Sequence, residues 1–215
     1  MLAKQGRLAD ARKHLQQVGP QNEQQRVQLI LAEGALLREA SAYQEAFDLL
    51  GRSLEARPDH PDLLYDHAML AEKVKRVDVL ETNLRKLIKL RPDHAHAYNA
   101  LGYTLADRNE RLGEARDLIE TGLKLAPDDP FIMDSMGWVL YRLGQNSEAL
   151  GYLQRAHGQR PDAEIAAHFG EVLWAVGRRD EAQKVWNDAL KQTPGNEVLQ
   201  ETVKRLVRDS QPAAR

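Results

Sequence analysis

Three columns of residues recur along this 215-residue chain with one shared period, and that register restricts the fold more than any single motif does. A small residue returns at Gly34, Ala68, Gly102, Gly137 and Gly170, in steps of 34, 34, 35 and 33. A second column holds Ala46, Leu80, Ala115, Ala149 and Ala182, and a third holds Pro58, Pro92, Pro127, Pro161 and Pro194. Small residues let two antiparallel helices approach closely. A proline pushes the residue before it out of the helical region and so ends the second helix. Gly144 falls between the first two columns, where a residue free to take positive φ stops the first helix. Such a hairpin cannot bury its apolar face alone, so copies must stack.

The register divides the chain into units at 27–60, 61–94, 95–129, 130–162 and 163–195. Gly6 and Ala11 match the turn glycine and second small residue of a further unit whose first helix would precede residue 1. Residues 1–26 are therefore expected to hold an orphan second helix, with Leu8, Leu15 and Val18 on its unpartnered face, and the chain to be a piece of a longer one. Residues 196–209 form an amphipathic pattern expected to cap the stack: Leu199, Val203, Leu206 and Val207 share a face, and Glu201, Lys204, Arg205 and Arg208 face away. The tail 210–215 is expected to be disordered. Leu80 replaces an alanine, so its hairpin should be slightly spread. The third unit carries one extra turn residue, which should widen that loop. Trp186 stands in the column of Leu153, where a large core residue fits.

Composition removes several function classes. Lys plus Arg total 30 against 32 acids, and no basic stripe is present, which argues against nucleic acid as a partner. The absence of cysteine excludes thiolate catalysis, disulfides and Cys-ligated zinc. No apolar run is long enough to span a bilayer, and the first residues lack the apolar core of a secretion signal. Nucleotide-binding glycine motifs and H-E-x-x-H are also absent.

Within 130–161, Met133, Met136, Gly137 and Leu140 fall where the tetratricopeptide repeat family places W-x2-L-G-x2-Y. Ala149, Leu153 and Pro161 fall where it places A-x3-F and P. Over roughly 27–195 the chain resembles that family. The likeness implies an all-α, right-handed α-α superhelix of five repeats, with a half repeat before them and a capping helix after, that binds extended peptides or partner proteins in a concave groove. Residues 99–145 are further similar to the C-terminal repeat block of bacterial outer-membrane lipoproteins, among them an adaptor of a periplasmic carboxyl-terminal processing protease. That likeness implies the periplasmic face of the outer membrane, a lipid anchor elsewhere in the full-length chain, and control of cell-wall hydrolase turnover. A cytoplasmic location is the alternative.

By the same resemblance the groove is lined by the second, fifth, ninth, twelfth and thirteenth positions of each first helix. The candidate groove residues are Tyr65, Met69, Lys73, His96, Asn99, Tyr103, Phe131, Asp134, Trp138, Tyr141, Arg142 and Trp174. Tyr103 and Trp138 are expected to face the groove and dominate affinity. Asn99 would bond partner backbone, Asp134 with Arg142 would set register, and Phe131 and Trp174 stay open between groove and core. Trp138→Ala is then expected to weaken capture without moving the melting midpoint. The carboxylate clamp of the family's chaperone cofactors is missing, because Tyr65, Met69 and Ala100 occupy its first three places. Self-association through the Leu8 and Leu15 face or the concave wall, giving a homo-oligomer, is the alternative function.

Two constellations could carry chemistry. Asp134, Ser135 and His168 sit at fifth and sixth positions of adjacent units and supply the types needed for a carboxylate, a nucleophile and a base. Neighbouring helices lie about 8–10 Å apart, so these groups are not expected to meet. His94 with His96, and Glu164 with His168, have ligand-like spacing but no third ligand. The expectation is a non-enzymatic chain with neither cofactor nor metal.

Overall fold

A computed structural model of the protein describes residues 2–208, and these form twelve α-helices and no strand. They are α1 (Leu2–Gln17), α2 (Glu23–Glu39), α3 (Tyr43–Ala56), α4 (Pro61–Lys73), α5 (Val77–Leu90), α6 (Ala95–Asp107), α7 (Leu112–Leu125), α8 (Pro130–Arg142), α9 (Asn146–Gln159), α10 (Ala163–Ala175), α11 (Arg179–Gln192) and α12 (Glu197–Arg208). Asp209 and the tail 210–215 lie outside the described residues. The chain divides into two compact units, 1–97 and 98–215, with the boundary inside α6.

Each hairpin turn is built the same way. Ser41, Lys75, Asn109, Gly144 and Gly177 take positive φ at one register position. The N–H of the next residue returns five residues to the helix, as in Arg76 N to Ala71 O at 2.8 Å and Gln145 N to Leu140 O at 2.9 Å. This closes the last turn and satisfies carbonyls that a helix end leaves open. Glycine meets the left-handed requirement at only two of the five positions, so the sequence reveals it there and hides it at Ser41 and Lys75. The third turn has four residues, 108–111, where the other four have three, and Arg111 adds a second left-handed residue. At the far end of each hairpin, Arg57, Arg91, Ala126, Arg160 and Thr193 leave the helical region just before the proline column.

The small-residue column is what the hairpins close upon. A Cβ built on Gly102 would lie 2.6 Å from Ile119 Cγ1, and one on Gly137 would lie 2.5 Å from Leu153 Cγ. A Cβ on Gly170 would run into the Trp186 indole. Gly34 differs, since its nearest atoms, on Leu50, stand 3.5 Å or more away. Leu80 is fully buried, as are Leu84 and Leu87 on the same helix.

Four expectations need correction. α2 begins at Glu23 rather than near Val27, because Asn22 caps it by accepting from Gln25 N at 2.8 Å. Gly6 lies inside α1 and forms no turn. That helix packs against α2, with Leu8 and Leu15 partly buried and Arg12 paired to Glu33 at 2.8 Å and Glu45 at 2.7 Å. It is therefore not left unpartnered. α12 packs on α10 and α11 as a cap, but its Arg205 turns back to pair with buried Glu171.

Gly34→Ala should raise stability by about 0.5–1 kcal/mol, the helix-interior gain of alanine over glycine. Gly137→Ala should lower it by about 1–3 kcal/mol through overpacking against Leu153. Urea unfolding of the two variants checks both signs.

Candidate functional site

Buried polar groups are concentrated in one place. Among the described residues six polar or charged side chains are buried, and four of them, Asp134, Ser135, His168 and Glu171, lie on α8 and α10. Burying such groups costs free energy unless they are paired, so their clustering needs a reason. The centre is His168. Its Nδ1 pairs with Asp134 Oδ2 at 2.8 Å, and its Nε2 lies 3.4 Å from the Tyr103 hydroxyl on α6. The imidazole stacks on the Trp138 indole, with centroids 4.3 Å apart at 22°. Side chains from three successive first helices thus meet on one face of the second unit.

Around this centre, Tyr141 tilts against Trp138 at 5.4 Å, and the Arg142 guanidinium lies over the same indole at 5.6 Å. Arg142 Nε also donates to Asn109 Oδ1 in the four-residue turn, at 3.4 Å. Burial and the nearby Glu171 carboxylate push the Tyr141 phenol up. Burial by itself would lower the His168 pKa. The charge of Asp134 and its hydrogen bond, with Asp107 and Glu171 behind them, outweigh that and hold it above the ordinary value.

The candidate groove residues divide between the two units. Tyr65, Met69, Lys73 and His96 belong to the first unit, where Tyr65 is half-buried and tilted against His94 at 5.1 Å, while Lys73 and His96 are exposed. Asn99, Tyr103, Phe131, Asp134, Trp138, Tyr141, Arg142 and Trp174 belong to the second. Tyr103 is half-buried at the centre, but Trp138 is only 5% exposed, so the expected open groove face of Trp138 is corrected to a buried one. Asp134 is 6% exposed and bonded to His168 rather than paired with Arg142. Trp174 packs into the core of α10 and α11, against Trp186 at 5.6 Å, with Arg179 over its ring. Phe131 is exposed beneath Arg160, 4.8 Å from its ring.

The expectation that Asp134 and His168 stay apart is also corrected: two side chains that lean toward each other bridge the space between α8 and α10. No triad results, because the Ser135 hydroxyl donates to Phe131 O in its own helix at 3.0 Å. Glu164 is exposed, and His94 Nδ1 accepts from Ala97 N at 3.1 Å as a helix cap. Among the described residues no group of three His, Cys, Asp or Glu could hold a metal.

A tetratricopeptide repeat family model matches residues 55–194, which is most of the chain. The chain belongs to the tetratricopeptide repeat family. A TPR repeat-containing protein of Pseudomonas aeruginosa, PA4667, is 43% identical over 206 residues, covering 96% of this chain. The chain spans only 35% of that relative's length. Among solved structures, the thermophilic TPR protein TTC0263 of Thermus thermophilus superposes with a TM-score of 0.74 at 24% identity, over 84% of this chain and 98% of that one. YrrB, described as a TPR protein with an unusual peptide-binding site, superposes with a TM-score of 0.53 at 23% identity, over 75% and 92%. These likenesses establish the fold as a TPR solenoid of helix hairpins.

Burial reverses the expectation for Trp138→Ala. Removing the indole should cost about 3–5 kcal/mol, measurable as an earlier unfolding transition of the second unit.

The two buried histidines should respond to pH with opposite sign. In the first unit His67 stacks on Phe47 and contacts Asn83 at 2.9 Å, and burial, with Arg76 adding, lowers its pKa. As pH falls through about 6.5 the unfolded chain takes this proton first, so His67 costs the first unit stability in acid. His168 is raised, so its contribution is complete below about 6.5 and is lost as pH rises through its folded value. Urea midpoints between pH 5 and 9 should lose the acid slope in His67→Asn and the alkaline slope in His168→Asn.

Proposed function

We propose that this chain is a non-catalytic binding scaffold whose second unit holds a partner segment against the inner face of α6, α8 and α10. The observation that carries this is the convergence of Tyr103, Asp134, Trp138 and His168 from three successive repeats. A helical stack needs none of these polar groups for stability, since apolar residues of similar volume would serve as well or better. Tyr103, Tyr141 and Arg142 form the half-exposed edge of the cluster and supply contact area of the kind that dominates interfaces. The peptide-binding site named for YrrB supports peptide as a ligand class for this fold.

The finer reading is an adaptor at the periplasmic face of the outer membrane that presents substrates, cell-wall hydrolases among them, to a carboxyl-terminal processing protease. It is supported by the resemblance of residues 99–145 to lipoprotein repeat blocks.

Two measurements test these levels separately. On an array of random 12-residue peptides, the chain should retain a defined subset, and Tyr103→Ala or Arg142→Ala should weaken retention about tenfold at unchanged helicity. Equal retention by both variants would remove the groove reading. Added to a purified periplasmic processing protease and a cell-wall hydrolase, the chain should accelerate cleavage, and an unchanged rate rules out the adaptor role.

A further inference from the structure

The inner face of α8 presents one hydrogen-bond donor and one acceptor that the fold leaves unused. Trp138 Nε1 and Asp134 Oδ1 are both buried, on side chains 5% and 6% exposed, and neither has a hydrogen-bond partner among the described residues. Leaving such groups unpaired is costly, and the few that occur in folded proteins call for an explanation. Four residues apart, the two side chains lie on one face of the helix. Both are fixed on His168, one by its hydrogen bond and the other by stacking.

We infer that Trp138 Nε1 and Asp134 Oδ1 form a subsite for a primary carboxamide, the side chain of an asparagine or glutamine in the bound segment. This rests on the groove reading above and names what the groove selects. The indole N–H donates to the carboxamide oxygen, and the Asp134 oxygen accepts from its NH2 group. A cation suits the carboxylate but not the indole N–H, and Asp134 Oδ2 is already engaged by His168. An anion is opposed by Asp134 and Glu171. Among amides, a trans peptide group directs its N–H and C=O to opposite sides, whereas a primary carboxamide carries both on one edge, which suits a donor and an acceptor four residues apart on one helix face.

The two atoms are shielded from water, so a ligand group reaches them only when a covering side chain moves. Arg142 borders this pair: its guanidinium lies over the Trp138 ring, it is half-buried, and its bond to Asn109 is long at 3.4 Å. A carboxamide held at these two buried atoms is out of water, where an unmet hydrogen bond is penalised most, which makes the subsite selective against side chains of similar shape.

The test uses the whole chain labelled with 15N, whose three indole N–H resonances report Trp138, Trp174 and Trp186 separately. Trp138 is assigned with Trp138→Phe. Propionamide, a side-chain carboxamide, should move the Trp138 resonance saturably, and N-methylacetamide, a main-chain amide, should bind at least about tenfold more weakly. The Trp186 resonance should stay in place, since its Nε1 already donates to Ala167 O. Equal or tighter binding of N-methylacetamide, or equal movement of all three indoles, overturns the proposal. On the peptide array, replacing Asn or Gln by Asp or Glu in retained peptides should abolish retention. Retention that survives the exchange removes the subsite and leaves the groove reading standing, whereas an array with no retained peptide removes both.

Discussion

The contact on which the rest of this molecule depends is the meeting of two helix backbones at a residue without a side chain. At Gly102, Gly137 and Gly170 the facing helix brings Ile119, Leu153 and Trp186 to where a Cβ would stand. Close packing of this kind tolerates little change in volume. In the three hairpins of α6 to α11 it sets the angle and spacing of the pair, and with them the direction in which each first helix presents its inner face. The left-handed turn residues and the proline column do the complementary work of limiting helix length, so that equivalent positions recur on successive helices.

On that repeating frame the second unit carries a feature the frame does not require. His168 collects Asp134, Trp138 and Tyr103 into one cluster and holds an ionisable pair out of water. Replacing such a pair with apolar residues commonly leaves a fold no less stable, so stability alone does not account for it. The polar atoms left over, Trp138 Nε1 and Asp134 Oδ1, point the same way. In the first unit the buried His67 has a different setting: it stacks on Phe47 and meets Asn83, with no carboxylate bonded to it, and burial with Arg76 lowers its pKa. The two units thus share a helical plan and differ in what they keep inside it.

Much of the fold was legible because its punctuation lies in single residues at a fixed period. The glycine and proline columns mark crossings and stops directly, and the extra turn residue of the third unit shows as a step of 35. The boundary at Glu23 was harder to see, since it depends on an Asn22 cap outside the period, and Gly6 misled because a turn-like glycine is tolerated within a helix. The site was only half legible. Family positions located Tyr103, Asp134 and Trp138, but a position number does not say how deeply a side chain sits. The meeting of Asp134 with His168 was missed for a physical reason: an axis-to-axis distance says little about two side chains that lean toward each other across the gap.

All three tryptophans, Trp138, Trp174 and Trp186, lie in the second unit, and the first has only tyrosine and phenylalanine. Intrinsic indole emission therefore watches one half of the molecule and is blind to the other, while far-ultraviolet dichroism sees the helices of both. Superimposable melts by the two methods would mean that the halves come apart as one, and a dichroism signal that fades before the emission shifts would mean that the leading half lets go first.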